Sequence, residues 1–403
     1  MPVTPTNPAK RIAGPCLIRN KGIVYFSKGD VVLDPIITPF DVESSAADPD
    51  AREDTFTWQV KFTPVGYVSA EILAAFYYTG NILTSRLVHH KRAFLPAAVV
   101  TATNIITITA HGFRDGHAVC VTSDDTLPAG STENAIVFLH KLSANTFTLH
   151  PTEADALANT NALDLTTQGT GTHYIIESEY LEIHSLTDDD EKYHFYNTAI
   201  IGIPTLTIKP NVTPFGEITY ECYRKFGVAH SADNAFYTRS LEVNAEAGDL
   251  DYDQVITEAG SLTWGAAKPF DAFTTKDGAA ISFGLTLDAV LDGAGGIASR
   301  KIMSQEVTLT AEPNYITAEA VWAKRKVQGA GTGTGRRLAA GADPLNLISD
   351  SIYARLYGAI CTTSPAQYSK TLDRLGALTW KATRTYNAGV ANPLYSVSEE
   401  APV

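Results

Sequence analysis

Thr63-Pro64-Val65-Gly66-Tyr67-Val68-Ser69-Ala70-Glu71 in the first half of the chain is echoed in the second half by Glu312-Pro313-Asn314-Tyr315-Ile316-Thr317-Ala318-Glu319. Both run from a strand through a proline and an aromatic to a small-Ala-Glu step, and self-similarity at such a separation is the mark of an internal repeat. The first stretch leads into an expected helix from Ser69 to Tyr78. Its serine can cap, Glu71 lies in the first turn, Ile72, Leu73, Phe76 and Tyr77 fall on adjoining faces, and Gly80 stops it. A second helix is expected from Asp343 to Tyr357, with Asp343 as cap, Pro344 at the first position and Gly358 at the end. Each is amphipathic and should lie on a sheet. Three more segments extend the echo. Ala74 to Ile82 and Ala354 to Ile360 read as helix ends, Gly22 to Phe26 and Gly278 to Phe283 as opening strands, and Gly216 to Cys222 and Gly376 to Ala382 as closing strands.

Elsewhere the apolar residues alternate with period two, as in Ile106-Thr107-Ile108-Thr109, Leu206-Thr207-Ile208 and Val307-Thr308-Leu309-Thr310, so the chain should be mainly β. From Ala97 to Thr172 the composition shifts to short strands between loops rich in Asn, Thr, Gly and Ala, ending in Gly169-Thr170-Gly171-Thr172. That is how a small all-β module inserted into a host loop would look, and it should leave Leu95 near Tyr174. The expected division is therefore a discontinuous first domain (1–96 and 173–227), an inserted module (97–172), a linker (228–266) and a second domain (267–403).

With 403 residues the chain is long enough for two or three cores at roughly 150 residues each. Its formal charge of −13 lacks the basic footprint of a protein that grips phosphates. No window approaches the roughly 18 apolar residues of a membrane span, and Met1 to Lys10 has no apolar signal core, so a soluble protein made without secretion is expected. Cys16, Cys120, Cys222 and Cys361 have no paired spacing and read as buried, reduced thiols.

Motifs for chemistry are sparse. Asp188-Asp189-Asp190-Glu191 could hold a hard cation, but reads more simply as a solvated hairpin tip. Asp249, Asp251 and Asp253 open like a calcium loop, yet Gln254 and Gly260 stand where that loop needs Gly and Glu. Gly329, Gly331, Gly333 and Gly335, followed by Arg336 and Arg337, fit neither the Walker nor the dinucleotide fingerprint. They read as a long loop tipped with two positive charges, suited to reaching a neighbouring subunit. His89-His90, His111, His117 and His194 belong to no zinc-protease motif, and no nucleophile elbow is present. No enzyme activity, metal or cofactor is expected.

Leu206-Thr207-Ile208-Lys209-Pro210, followed by Thr213-Pro214-Phe215-Gly216-Glu217-Ile218-Thr219-Tyr220, resembles the closing hairpin of major tail tube proteins of long-tailed bacteriophages. Phe62 to Gly66 running into Ser69 to Leu73 resembles the strand-to-helix junction of the same family. The insert resembles a small β module of phage tail, baseplate and fibre proteins. It carries that likeness in Thr109-Ala110-His111-Gly112-Phe113, Asp115-Gly116, Leu127 to Gly130, Ala144 to Leu149 and Gly169 to His173. The resemblance implies two tandem tail-tube-like domains, each a β-sandwich or rolled sheet with one flanking helix. It further implies self-assembly into stacked rings, either trimeric and pseudo-hexameric or hexameric, in a virion tail with tape-measure and other tail proteins as partners. DNA would pass through without specific binding, which suits an acidic lining. A baseplate or distal-tail ring protein, and a tail protein that binds host-surface carbohydrate through the insert, are the alternatives.

Overall fold

The computed structural model describes residues 10–20, 23–43, 49–66, 68–77, 91–113, 115–133, 135–177, 181–186, 191–195, 198–224, 236–241, 260–291, 297–328, 343–349, 352–363, 376–384, 386–387, 390–391 and 393–399. It is mainly β. The first region holds β1 (Lys10–Ile12), β2 (Cys16–Asn20), β3 (Ile23–Ser27), β4 (Val31–Glu43), β5 (Pro49–Phe62), β6 (Pro64–Val65) and α1 (Ala70–Phe76). The inserted region holds β7 (Lys91–Phe94), β8 (Val99–Val100), β9 (Ile105–Thr107), β10 (His117–Ser123), β11 (Ile136–Lys141), β12 (Thr146–His150), α2 (Glu153–Ala158) and β13 (His173–Glu177). The chain then returns through β14 (Leu181–Ser185), β15 (Glu191–Phe195), β16 (Thr198–Gly202), β17 (Leu206–Ile208), β18 (Ile218–Cys222) and β19 (Tyr237–Leu241). The last region holds β20 (Ser261–Trp264), β21 (Phe273–Leu291), β22 (Ile297–Pro313), α3 (Ala318–Gln328), β23 (Leu345–Ile348), β24 (Tyr353–Leu356), β25 (Ala359–Cys361) and β26 (Leu378–Ala382). After these come β27 (Tyr386–Asn387), β28 (Val390–Ala391) and β29 (Tyr395–Ser398).

One strand order occurs twice. The first region contains β1-β4-β5-β18-β16, and the last contains β17-β21-β22-β26-β25. Their registers agree position by position. Ile12 opposite Val31 is matched by Ile208 opposite Ala279, and Leu33 opposite Val60 by Ile281 opposite Leu309. Tyr220 opposite Val60 is matched by Trp380 opposite Leu309, and Ile200 opposite Tyr220 by Cys361 opposite Trp380. A facing layer repeats as well, in β19-β15-β14-β2-β3 and in β29-β24-β23-β20-β21. There Ile183 opposite Ile18 corresponds to Leu347 opposite Leu262, and Phe195 opposite Tyr237 to Leu356 opposite Tyr395. Because strand side chains alternate between faces, a register slip of one residue would turn the whole apolar set outward. Agreement at these pairs therefore keeps the same core-facing positions buried in both copies, although β21–β22 carries a bulge between Thr286 and Leu287 that β4–β5 lacks.

The two echoing stretches mark two helix starts. Ser69 Oγ accepts from the Ile72 amide at 3.3 Å ahead of α1, and Thr317 Oγ1 accepts from the Ala320 amide at 3.2 Å ahead of α3. The expected helix from Asp343 to Tyr357 is not formed. Those residues make the β23–β24 hairpin, with the Ser349 amide donating to the Ile352 carbonyl at the turn. Leu345, Ile348, Ile352 and Leu356 satisfy helical spacing, but Leu345 and Leu347, and then Ala354 and Leu356, also satisfy period two. Pairing with β20 on one side and β29 on the other decides for strand. Ala354 to Ile360 is accordingly strand and turn, not a helix end, and 78–82 fall outside the described residues. The opening-strand match is also shifted. β3 corresponds to the beginning of β21, as Ile18 opposite Tyr25 and Leu262 opposite Phe273 show, while Ala279 to Phe283 corresponds to the start of β4. The closing strands β18 and β26 match as expected.

The insert lies within a sheet that runs from β7 to β13, in the order β7-β13-β10-β11-β12-β9-β8. Phe94 pairs with His173, so the two ends of the expected insert lie side by side, and β7 and β13, which flank those ends, belong to the same sheet. This region has its own core, with Val99, Phe113, Leu139, Phe147 and Ile175 all buried. The stretch expected to be linker is partly built into both regions, since β19 pairs with β15 and β20 pairs with β23. The two repeated regions share one continuous core, in which Tyr77 after α1 meets Phe283 at 5.0 Å and Phe283 meets Tyr395 at 4.8 Å.

Candidate functional site

The two repeated sheets are joined by devices the repeat itself makes visible. The first is strand donation. β17 belongs by sequence to the first region, between β16 and β18, yet it pairs with β21 of the last region, where β1 pairs with β4 in the first. Leu206 and Ile208 are fully buried, so the donated strand fills the neighbouring core as well as covering a sheet edge.

The second is a buried ion pair. Glu221 on β18 is 0% exposed and lies on the face turned away from Tyr220 and Cys222, which point into the core. Arg300 on β22 donates from Nε to Glu221 Oε2 and from Nη2 to Oε1, both at 2.6 Å. Thr57 Oγ1 and the Tyr223 hydroxyl each donate to the same carboxylate at 2.9 Å. A buried carboxylate is tolerated when its lone pairs are occupied in this way. The hydrogen bond to Glu221 holds the Arg300 guanidinium above its usual pKa. Burial, reinforced by the Glu221 charge, pushes the Tyr223 phenol far above its usual value, so it remains a donor. Around the pair, Ala199, Tyr223 and Ile297 form a small apolar cluster with Ala289 packed against it. The far half of the β21–β22 hairpin thus covers the outer face of the first sheet.

The second sheet carries the same positions uncovered. Glu221 lies opposite Gln59 and Thr57 opposite Ile36; the corresponding pairs are Lys381 opposite Thr308 and Glu306 opposite Gly284. Lys381 Nζ meets Glu306 Oε1 at 2.9 Å, with the two side chains 46% and 60% exposed. An exposed pair of this kind contributes about 0–1 kcal/mol.

The residues singled out from sequence are not brought into this join. Gly329, Gly331, Gly333, Gly335, Arg336 and Arg337 fall outside the described residues, as do Asp188 to Asp190, Asp249, Asp251, Asp253 and His89-His90. His111 is structural: Nε2 is 3.0 Å from the Ser143 carbonyl and Nδ1 accepts from the Phe113 amide at 3.1 Å. His194 lies beside Glu182, which also pairs with Lys192. Among the described residues no group of His, Cys, Asp and Glu could hold a metal ion, and no helix is long and apolar enough to cross a membrane. All four cysteines are buried and none is in a disulfide, and burial pushes the Cys16 thiol up to about 12. The Glu221–Arg300 pair escaped the sequence reading because an isolated glutamate in an alternating strand looks like an outward residue. Its one signal was the phase shared with Tyr223 and Ala199, which only the pairing discloses. No protein-family model matches the chain, and no curated protein matches it.

Proposed function

We propose that this protein is a structural subunit that polymerises through its repeated sheets into the ring of a phage tail tube. The observation that carries the reading is the recurrence of one sheet, in order and register, with the copies joined inside the chain by a donated strand and an overlapping hairpin. Such a join is heterologous: different surfaces of the two copies meet. Repeated between chains, heterologous contacts close a ring when the rotation permits it. Three chains would then supply six similar sheets around a channel. The inserted module, whose ends come together at the paired Phe94 and His173, would project from the outside of that ring. The net charge of −13 suits a conduit through which DNA passes without being held. Tape-measure and other tail proteins would be its partners in the virion, and no catalytic step is assigned.

Negative-stain electron microscopy of the concentrated protein tests this reading. Rings that stack into tubes support it, and single rings that never stack favour a baseplate or distal-tail role. Persistent monomers overturn it.

A further inference from the structure

One helix and one sheet of this chain are more exposed than their counterparts. Inside the chain, α1 packs against β29. Tyr77, directly after that helix, meets Phe283 on β21 at 5.0 Å, and Tyr395 meets Phe283 at 4.8 Å. All three rings are buried. By the shared register, Pro35 and Ile37 on β4 stand in the places of Phe283 and Leu285, and Tyr237 in the place of Tyr395. There Ile37 is 44% exposed and Pro35 and Tyr237 are half-buried, whereas Leu285 packs against the core. The counterpart of α1 is α3, and its Trp322 is 52% exposed. We infer that α3 of one copy of this chain docks on Pro35, Ile37 and Tyr237 of a second copy, as α1 docks on the last region inside the chain.

The position of Trp322 on its helix favours that occupant. Tyr77 follows its cap Ser69 by eight residues, and Trp322 follows Thr317 by five. Residues three apart on a helix are neighbours, so Trp322 lies on the side that α1 turns toward the last region. The helix is fixed to its own sheet from another side. Ile316 and Val321 are buried on either side of the cap, and Lys324 Nζ lies over the rings of Trp264 and Phe270. Tyr315, two residues before the cap, adds an independent sign. It is 99% exposed and has φ of 59°. A bulky side chain in the left-handed region is strained, and a ring so exposed gains no burial inside its own chain to offset the strain. The other non-glycine residues with positive φ among the described ones are four asparagines and Ala110. Exposed aromatics of this kind are what the core of a protein interface buries. The first sheet is also ready for the contact. β1 already fills there the place that β17 fills on the last sheet, so a second copy can add its helix without opening that edge.

This contact rests on the ring-forming reading above, and it can fail separately. The test is sedimentation velocity of the full chain and of Trp322→Ala over a concentration series, with thermal unfolding of each below the assembly concentration. Trp322→Ala should raise the concentration needed for assembly about tenfold or more, as truncating a central interface tryptophan does, and leave the unfolding midpoint nearly unchanged. Tyr315→Gly should raise that midpoint by relieving the backbone, and still weaken assembly. Cross-linking identifies the occupant. Chains carrying Ala323→Cys on the exposed side of α3, mixed with chains carrying Ile37→Cys, should give a two-chain product with a short bis-maleimide, since the native cysteines are buried. Unaffected assembly of Trp322→Ala, or a product that forms only when both new cysteines are on one chain, overturns this contact while wild-type rings leave the tube reading standing. A wild-type chain that never self-associates overturns both.

Discussion

Glu221 and Lys381 occupy one register position in two copies of a sheet and have opposite surroundings. Glu221 is sealed under the β21–β22 hairpin by Arg300, Thr57 and Tyr223, whereas Lys381 stands at the surface with Glu306. The difference teaches how one fold can serve two purposes. In the first copy the outer face around Glu221 has become interior, and its carboxylate is fully paired. The second copy keeps a charged exterior, with Lys381 and Glu306 paired at the surface. A pair of this kind inside the protein is costly to break, while the same position outside is nearly neutral.

Substitutions that separate the two environments can break this comparison. Arg300→Ala should have the largest effect, because it leaves the Glu221 carboxylate buried without its counter-charge, at a cost of about 3–5 kcal/mol. Lys381→Ala should fall within about 0.5 kcal/mol in the isolated chain. Urea unfolding of both variants makes the measurement, and equal effects would show that the two positions are not differently buried. Next in size is the donated strand. Ile208→Ala and Ile12→Ala fill corresponding pockets beside Ala279 and Val31, and each should cost about 2–5 kcal/mol. Only Ile208→Ala should also loosen the two regions from each other, so calorimetry should resolve two transitions for it and one for Ile12→Ala. A single transition for both would mean that β17 does not couple the sheets. Smaller than the losses at Arg300 and in the donated strand are those at the two helix caps. Ser69→Ala and Thr317→Ala should each lose about 1 kcal/mol, and near-equality of the two would sharpen the correspondence between α1 and α3.

Much of the repeat was legible in the residues. The Ser69-Ala70-Glu71 and Thr317-Ala318-Glu319 steps mark real helix starts, and Gly216 to Cys222 and Gly376 to Ala382 mark equivalent closing strands. What misled was periodicity where two periods fit the same apolar residues. Leu345 to Leu356 reads as helix in isolation, and neighbouring strands on both sides make it a hairpin. The donation of β17 could not be read at all. Alternation in Leu206-Thr207-Ile208 says that a strand exists, but its partner is a matter of topology and not of local sequence. The same holds for Glu221, whose counter-charge lies on a hairpin far along the chain.

The most direct measurement is the number of chains and of sheet units in one assembled ring, from native mass spectrometry together with end-on electron micrographs. The account predicts three chains and six similar lobes with pseudo-sixfold symmetry. A closed dimer related by a two-fold axis, or a ring of six chains with one region excluded from the circle, would contradict the claim that the join within the chain is the template for the join between chains.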